Sequence, residues 1–171
     1  EIIRRRTVFV QELNEIIQEI HQKLSGGQEQ IVLGYEANVQ EEELEQTLQD
    51  HMERDIHLKT TTTGPHRDDL SFLVNDIDIR RFGSQGQQRT AALSLKLSEI
   101  ELVKRRVHDT PVLLLDDVLS ELDSSRQNYL LNSIENIQTL ITCTGLDEFI
   151  NHRFSVNKIY KVSGGNVTVK N

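Results

Sequence analysis

The chain has 171 residues, 36% of them hydrophobic and 5% aromatic with no Trp, so it forms one domain, or a large piece of one with an appendage, around an aliphatic core. A formal net charge of −8 argues against strong nucleic-acid binding by this piece alone, because neutralising phosphates takes clustered Lys and Arg. A single cysteine, Cys143, rules out an intrachain disulfide, no apolar run reaches the roughly 18 residues of a membrane span, and no signal peptide is present, so a cytoplasmic protein without membrane contact is expected.

The sequence begins at Glu1 inside a helical pattern and its only Met is Met52, which reads as an excised portion of a longer protein. Phe9, Leu13, Ile16, Ile20 and Leu24 recur at spacings of three and four, predicting an amphipathic helix from about Ile2 to Leu24. Its stripe needs a partner, expected from outside the chain or from a second helix, Glu41 to Asp55, where Leu44, Leu48 and Met52 share a face. Gln30 to Tyr35 is a strand between them, and Glu41-Glu42-Glu43 suits the positive end of the second helix dipole. The basic runs Arg4-Arg5-Arg6 and Lys104-Arg105-Arg106 read as solvated helix faces rather than DNA contacts.

Leu24-Ser25-Gly26-Gly27-Gln28 spells the phosphate-contacting signature of ABC-type ATPases. That motif needs a Ser- and Gly-rich turn at the start of a helix, where free amides point at an anion. Here the glycines follow a helix, so a helix C-cap and turn is the better reading.

Thr60 to Thr63 and Gly64-Pro65 form a break, followed by the polar cluster His66-Arg67-Asp68-Asp69. The cluster is either a turn with internal ion pairs or the lining of a nucleotide or interface site. Residues 70 to 80, with Asn75-Asp76 between two short apolar runs, predict a β-hairpin. Ser84-Gln85-Gly86-Gln87 then stands where the earlier turn failed, directly after a strand and before a long helix, Gln88 to about His108, with Leu93, Leu97 and Ile100 on one face. Ser84 serves as N-cap, but a plain cap does not call for Gly86 or for two glutamines beside it.

Pro111 precedes Val112-Leu113-Leu114-Leu115, read as a buried parallel strand that ends in Asp116-Asp117. Two carboxylates at a core boundary are costly unless water, polar partners or a cation such as Mg²⁺ serve them. The alternative is a charged strand end running into a turn. Beyond Ser120-Glu121-Leu122-Asp123, a helix from Ser124 to Asn136 turns Leu130, Leu131 and Ile134 inward, and Thr139 to Thr144 is a second buried strand. Together these make a βαβ unit with both polar strand ends on one sheet edge. Lys158 to Val162 and Val167 to Lys170, joined by Ser163-Gly164-Gly165-Asn166, close the chain as a hairpin.

Three motifs in order, Gly-Pro-His-Arg-Asp-Asp at 64 to 69, Gly-Ser-Gln-Gly-Gln-Gln-Arg-Thr at 83 to 90 and Leu-Leu-Leu-Asp-Asp-Val-Leu-Ser-Glu-Leu-Asp at 113 to 123, resemble the RecF family of bacterial DNA replication and repair ATPases, related to SMC and ABC heads. The resemblance covers the chain as a C-terminal part. It implies an α/β fold: a partial helical arm over 1–58 and the C-terminal part of an ABC-type ATPase head, a parallel βαβ core with hairpins, over 59–171. Asp116 matches the Walker B aspartate that holds Mg²⁺ and Asp117 the acid that orients the attacking water. Ser84, Gln85, Gly86 and Gln87 match the signature that meets the γ-phosphate of ATP held by the opposite subunit, and Asp123 matches the D-loop residue at that interface. Thr144, or less well Cys143, stands where transporters carry a switch histidine.

Asp in place of the more usual Glu, and the missing histidine, imply slow hydrolysis. No P-loop, Gly-x-x-x-x-Gly-Lys-Ser/Thr, occurs in the sequence, so this chain alone is expected neither to bind ATP tightly nor to hydrolyse it. The family further implies an ATP-dependent homodimer on double-stranded and gapped DNA, RecR- and RecO-type mediators as partners, and a place in recombination and the SOS response. Two other readings stand beside it: a piece of an ABC transporter nucleotide-binding domain, disfavoured by the missing switch histidine, and a non-catalytic interaction module.

Overall fold

The computed structural model describes residues 1–144 and 158–170. Its helices are α1 (Ile2–Leu24), α2 (Leu44–Leu58), α3 (Ile79–Phe82), α4 (Gln85–Val107) and α5 (Ser124–Ser133). The strands are β1 (Ile31–Glu36), β2 (Asp69–Val74), β3 (Ile77–Asp78), β4 (Leu113–Asp116), β5 (Thr139–Thr142), β6 (Ile159–Ser163) and β7 (Asn166–Lys170). They form three sheets: antiparallel β1-β2-β3, parallel β4-β5, and the antiparallel hairpin β6-β7.

Helix α4 lies between two apolar clusters. On one side Val10, Leu13, Ile16 and Ile17 of α1 meet Ile31 and Leu33 of β1, Val74 of β2 and Leu102 of α4. On the other, Leu93 and Leu97 meet Leu115 of β4 and Leu130, Leu131 and Ile134 around α5. Full burial of each such side chain contributes about 1.5–3 kcal/mol. Where α4 turns small residues inward, Thr90, Ser94 and Ser98 are all fully buried. Each hydroxyl donates back to the carbonyl four residues earlier, at 2.7, 2.8 and 2.7 Å, so the helix packs closely with no orphaned polar group along that stripe.

Several expectations hold. Helix α1 has the predicted limits, and Gly26 and Gly27 end it at left-handed φ of 65° and 81°, with the Gly27 N–H closing onto the Gln22 carbonyl at 2.7 Å. The β2–β3 hairpin turns at Asn75 and Asp76, both at positive φ, and the β6–β7 hairpin at Gly164 and Gly165. β4, α5 and β5 make the predicted βαβ unit.

Other expectations need correction. The α1 stripe is covered by β1 and α4, not by α2, which buries none of its residues and leaves Met52 59% exposed. The period of three and four located the stripe but not its centre, since Val10 and Ile17 are buried whereas Phe9 faces outward under the Arg106 guanidinium, 5.8 Å from its ring centroid. Strand β2 pairs with β1 as well as with β3, a long-range antiparallel pairing that local patterns do not encode. The β4–β5 pair is only partly covered: Leu115 is enclosed, while its partner Ile141 is 37% exposed and Val112, Leu114 and Leu140 on the other face are exposed.

Candidate functional site

At the end of β4 the register places Asp116 opposite Thr142 of β5. The Thr142 hydroxyl donates to Asp116 Oδ1, and its oxygen accepts from the Asp117 N–H at 3.1 Å. The same N–H reaches the Thr142 carbonyl at 3.1 Å. Asp117 sits at a left-handed φ of 52°, which bends the chain into the following turn. Both acids are exposed and neither forms an ion pair with a described residue. The desolvation cost expected at a core boundary is therefore absent, because this strand end opens to solvent. Two adjacent carboxylates fit Mg²⁺ only in company: among the described residues no group of three or more His, Cys, Asp or Glu is placed to hold a metal.

Asp123 serves first as the N-cap of α5, accepting from the N–H groups of Ser125 and Arg126, both at 3.0 Å, and pairing with the Arg126 guanidinium. The Arg126 backbone bond, followed by its charge, holds the carboxyl below the usual aspartate range despite partial desolvation. Cys143 follows Thr142, its thiol pushed up by burial and by the nearby Asp117 charge. Thr144 is exposed beyond the end of β5. The hydroxyl that reaches the acids is that of Thr142, a residue the sequence reading passed over; pairing the polar ends of two parallel strands in register is the signal that finds it.

Ser84, Gln85 and Gly86 are exposed at the start of α4. The turn does not follow a strand directly, since the single helical turn α3 intervenes. Gly83 is required there sterically: a Cβ would meet the Ile79 carbonyl oxygen at 2.6 Å. Gly86 has no such constraint, because its Cβ would meet only Ser84 Oγ at 3.8 Å.

Ser84 and Gln87 form a capping box, the Gln87 N–H donating to Ser84 Oγ at 3.2 Å and the Ser84 N–H to Gln87 Oε1 at 3.0 Å. Gln88 donates to the Ile79 carbonyl at 2.9 Å. The glutamines thus have structural duties that a plain cap did not predict. The N–H groups of Gln85 and Gly86 stay at the exposed positive end of the helix. Among the described residues no hydrogen bond or ion pair joins Ser84–Gln87 to Asp116, Asp117 or Asp123.

The polar cluster before β2 is a folding joint. Asp68, its side chain 2% exposed, accepts from the Tyr35 hydroxyl, the Asn38 N–H at 2.9 Å and the Arg6 guanidinium at 3.0 Å. Asp69 pairs with Arg80 at 2.6 Å, while His66 and Arg67 bond the Thr61 carbonyl. The basic runs are similarly engaged, Arg4 and Arg5 with Glu1, Arg105 with Glu101 and Arg106 with Glu12. A hollow of about 340 Å³ between α1 and β1, lined by Thr7, Gln11, Asn14 and Tyr35, contains none of the predicted site residues. Among the described residues no helix is long and apolar enough to cross a membrane.

No family model matches the chain. It is 59% identical over 168 residues to the DNA replication and repair protein RecF of Agathobacter rectalis, covering 98% of this chain and 46% of that protein. The RecF proteins of Lachnospira eligens and Lachnoclostridium phytofermentans are 58% and 60% identical over 170 and 166 residues, covering 99% and 97% of this chain and 47% and 46% of theirs. The chain thus spans about half the length of the curated relatives it matches. Solved structures of the recombination mediator protein RecF-ATP and RecF-ATPrS in the RecFOR pathway superpose with TM-scores of 0.78 and 0.79 at 32% identity, covering 99% and 98% of this chain and 46% of each of theirs. In sequence and in backbone alike, the chain matches the C-terminal part of RecF and shares its ABC/SMC-like ATPase fold.

Proposed function

We propose that the protein carrying this chain is an ATP-dependent recombination mediator of DNA replication and repair, and that this chain supplies the signature turn, the acidic strand end and the D-loop of its ATPase head. Asp116 and Asp117 serve the ATP of their own subunit, and Ser84, Gln85, Gly86 and Gln87 serve the ATP of a second copy, with Asp123 beside that interface. ATP thereby joins two heads into a homodimer that holds double-stranded DNA at gaps and receives RecR- and RecO-type mediators.

The observation that carries this reading is the strand end. Asp116 is oriented by Thr142, Asp117 is bent out beside it, and both charges face solvent without a cation partner among the described residues. Asp116 would hold Mg²⁺ there, and the ion would supply positive charge against the phosphates. Asp117 polarises the attacking water, and its short side chain gives slow turnover. Thr144 is assigned the position that a switch histidine takes in transporters. The DNA-binding surface is assigned to the assembled dimer, since the arginines of both basic runs of this chain are engaged in ion pairs.

The test is Asp117→Asn in the full-length protein, which is expected to give ATP-bound dimers that persist while turnover stops; unchanged turnover removes Asp117 from this role. Ser84→Arg is expected to abolish ATP-dependent dimerisation, and normal dimerisation by that variant would leave only a non-catalytic interaction module.

A further inference from the structure

The strongest unexplained feature is a buried polar chain that ends at the signature turn. His21, in the last turn of α1, is fully buried. Its Nδ1 lies 2.9 Å from Ser94 Oγ of α4, and its Nε2 lies 3.2 Å from Glu29 Oε2. Glu29 Oε1, in turn, accepts from Gln87 Nε2 at 3.0 Å. Gln87 is the residue whose Oε1 receives the Ser84 N–H. The turn spelled Ser25-Gly26-Gly27, which carries no phosphate chemistry by position, brings the chain back so that Glu29 reaches α4; the Glu29 N–H donates to Ser25 Oγ at 3.3 Å.

Donor and acceptor types make this chain directional. A side-chain amide can be placed with its oxygen or its nitrogen toward Ser84, and the wrong choice sets NH₂ against the Ser84 N–H. An ionised Glu29 only accepts, so it forces the Gln87 NH₂ toward itself and the Gln87 oxygen toward Ser84. With Ser84 Oγ then accepting from the Gln87 N–H, the hydroxyl proton is left to point away from the helix.

Glu29 is held by the ring. Neutral His21 donates to Glu29 only as the Nε2–H tautomer, and the single Ser94 hydroxyl proton is then shared between Nδ1 and the Thr90 carbonyl, 2.8 Å away. Burial favours that neutral ring and Arg126 adds repulsion of the same sense, against the pull of Glu29. Among the described residues Glu29 and Arg126 are the charged groups acting on the ring, and Arg126 is also the partner of Asp123.

We infer that Glu29 is a positioning residue for the signature turn: it locks the Gln87 amide, and His21 locks Glu29, so that Ser84 presents its hydroxyl to a phosphate oxygen. The inference rests on the proposed role of Ser84–Gln87 toward a neighbour's ATP.

It is tested in the full-length protein by the ATP concentration that gives half-maximal self-association, measured by light scattering, beside thermal unfolding without ATP. Glu29→Ala is expected to raise that concentration about tenfold, the scale of one lost hydrogen bond to a charged group. Glu29→Asp, which keeps the charge but shortens the reach, is expected to raise it about threefold and serves if the Ala variant does not fold. In a Gln87→Ala background, Glu29→Ala should add less than about twofold, because both act through one amide. A wild-type ATP requirement in Glu29→Ala or Glu29→Asp, or an undiminished effect of Glu29→Ala in the Gln87→Ala background, overturns the positioning role. Normal association of Ser84→Arg overturns the signature reading and this inference with it, whereas loss of association in Ser84→Arg beside unaltered Glu29 variants overturns this inference alone.

Discussion

Replacing Thr142 with Val removes one hydroxyl and nearly preserves shape. Two bonds are at stake: Thr142 Oγ1 donates to Asp116 Oδ1 and accepts from the Asp117 N–H at 3.1 Å. The Asp117 N–H keeps the Thr142 carbonyl at 3.1 Å, so the bond to Asp116 is the one lost outright. Hydrogen bonds to charged groups contribute about 1.5–3 kcal/mol, and the exposure of both partners places this one at the lower end, about 1.5 kcal/mol or roughly tenfold in rate. In steady-state ATP turnover by the full-length protein, kcat should therefore fall roughly tenfold, with half-saturating ATP changed by less than about twofold. Thr142→Ser, which keeps the hydroxyl, should recover most of the loss. A Val variant with wild-type kcat, or a Ser variant as slow as Val, refutes the idea that this hydroxyl aims Asp116.

Asp68→Ala should lower stability by about 3 kcal/mol, since it leaves the Arg6 guanidinium and Tyr35 hydroxyl facing a vacated, enclosed position; thermal unfolding measures it, and a shift below about 1 kcal/mol would show that the joint is not load-sharing. Burial alone would raise the Asp68 pKa, but Tyr35, the Asn38 N–H and Arg6 together outweigh it and hold the carboxyl low. The stabilisation is thus complete above the unfolded value of about 3.9 and is lost as pH falls through the lower folded value, so wild-type and Asp68→Asn midpoints should converge in acid; a gap independent of pH contradicts this. Gln28→Ala, in the turn that only spells a signature, should leave the ATP requirement for association within about twofold, whereas Gln87→Ala should raise it about tenfold; the reverse order would exchange the roles of the two turns.

Much of the fold is legible in local pattern. The limits of α1, the αL turn at Gly26–Gly27, the Ser84 cap and the two hairpin turns each follow from interactions within a few residues, which are written in spacing and in Gly, Asn, Asp and Ser placement, and the βαβ unit follows from the order of its strand, helix and strand patterns. What was not legible depends on long-range packing. The uncovered α2 stripe, the pairing of β1 with β2, and the burial of Val10 rather than Phe9 are settled by which surfaces meet, and a hydrophobic period gives a face without naming its partner.

The candidate site divides in the same way. The residues of the acidic strand end, Asp116 and Asp117, and of the cap, Ser84 and Gln87, could be picked out by type and position, because a strand end and a helix start each carry a local chemical signature. Only the tertiary structure brought Thr142 across the ladder to Asp116, and set His21 and Glu29 behind Gln87, 66 and 58 residues away in sequence. Amino-acid order alone thus picked out the acids and the cap that are proposed to carry the chemistry. Their orientation came from the fold, since a hydrogen bond is set by distance and direction in space, and residues far apart in the chain share neither until the core has closed.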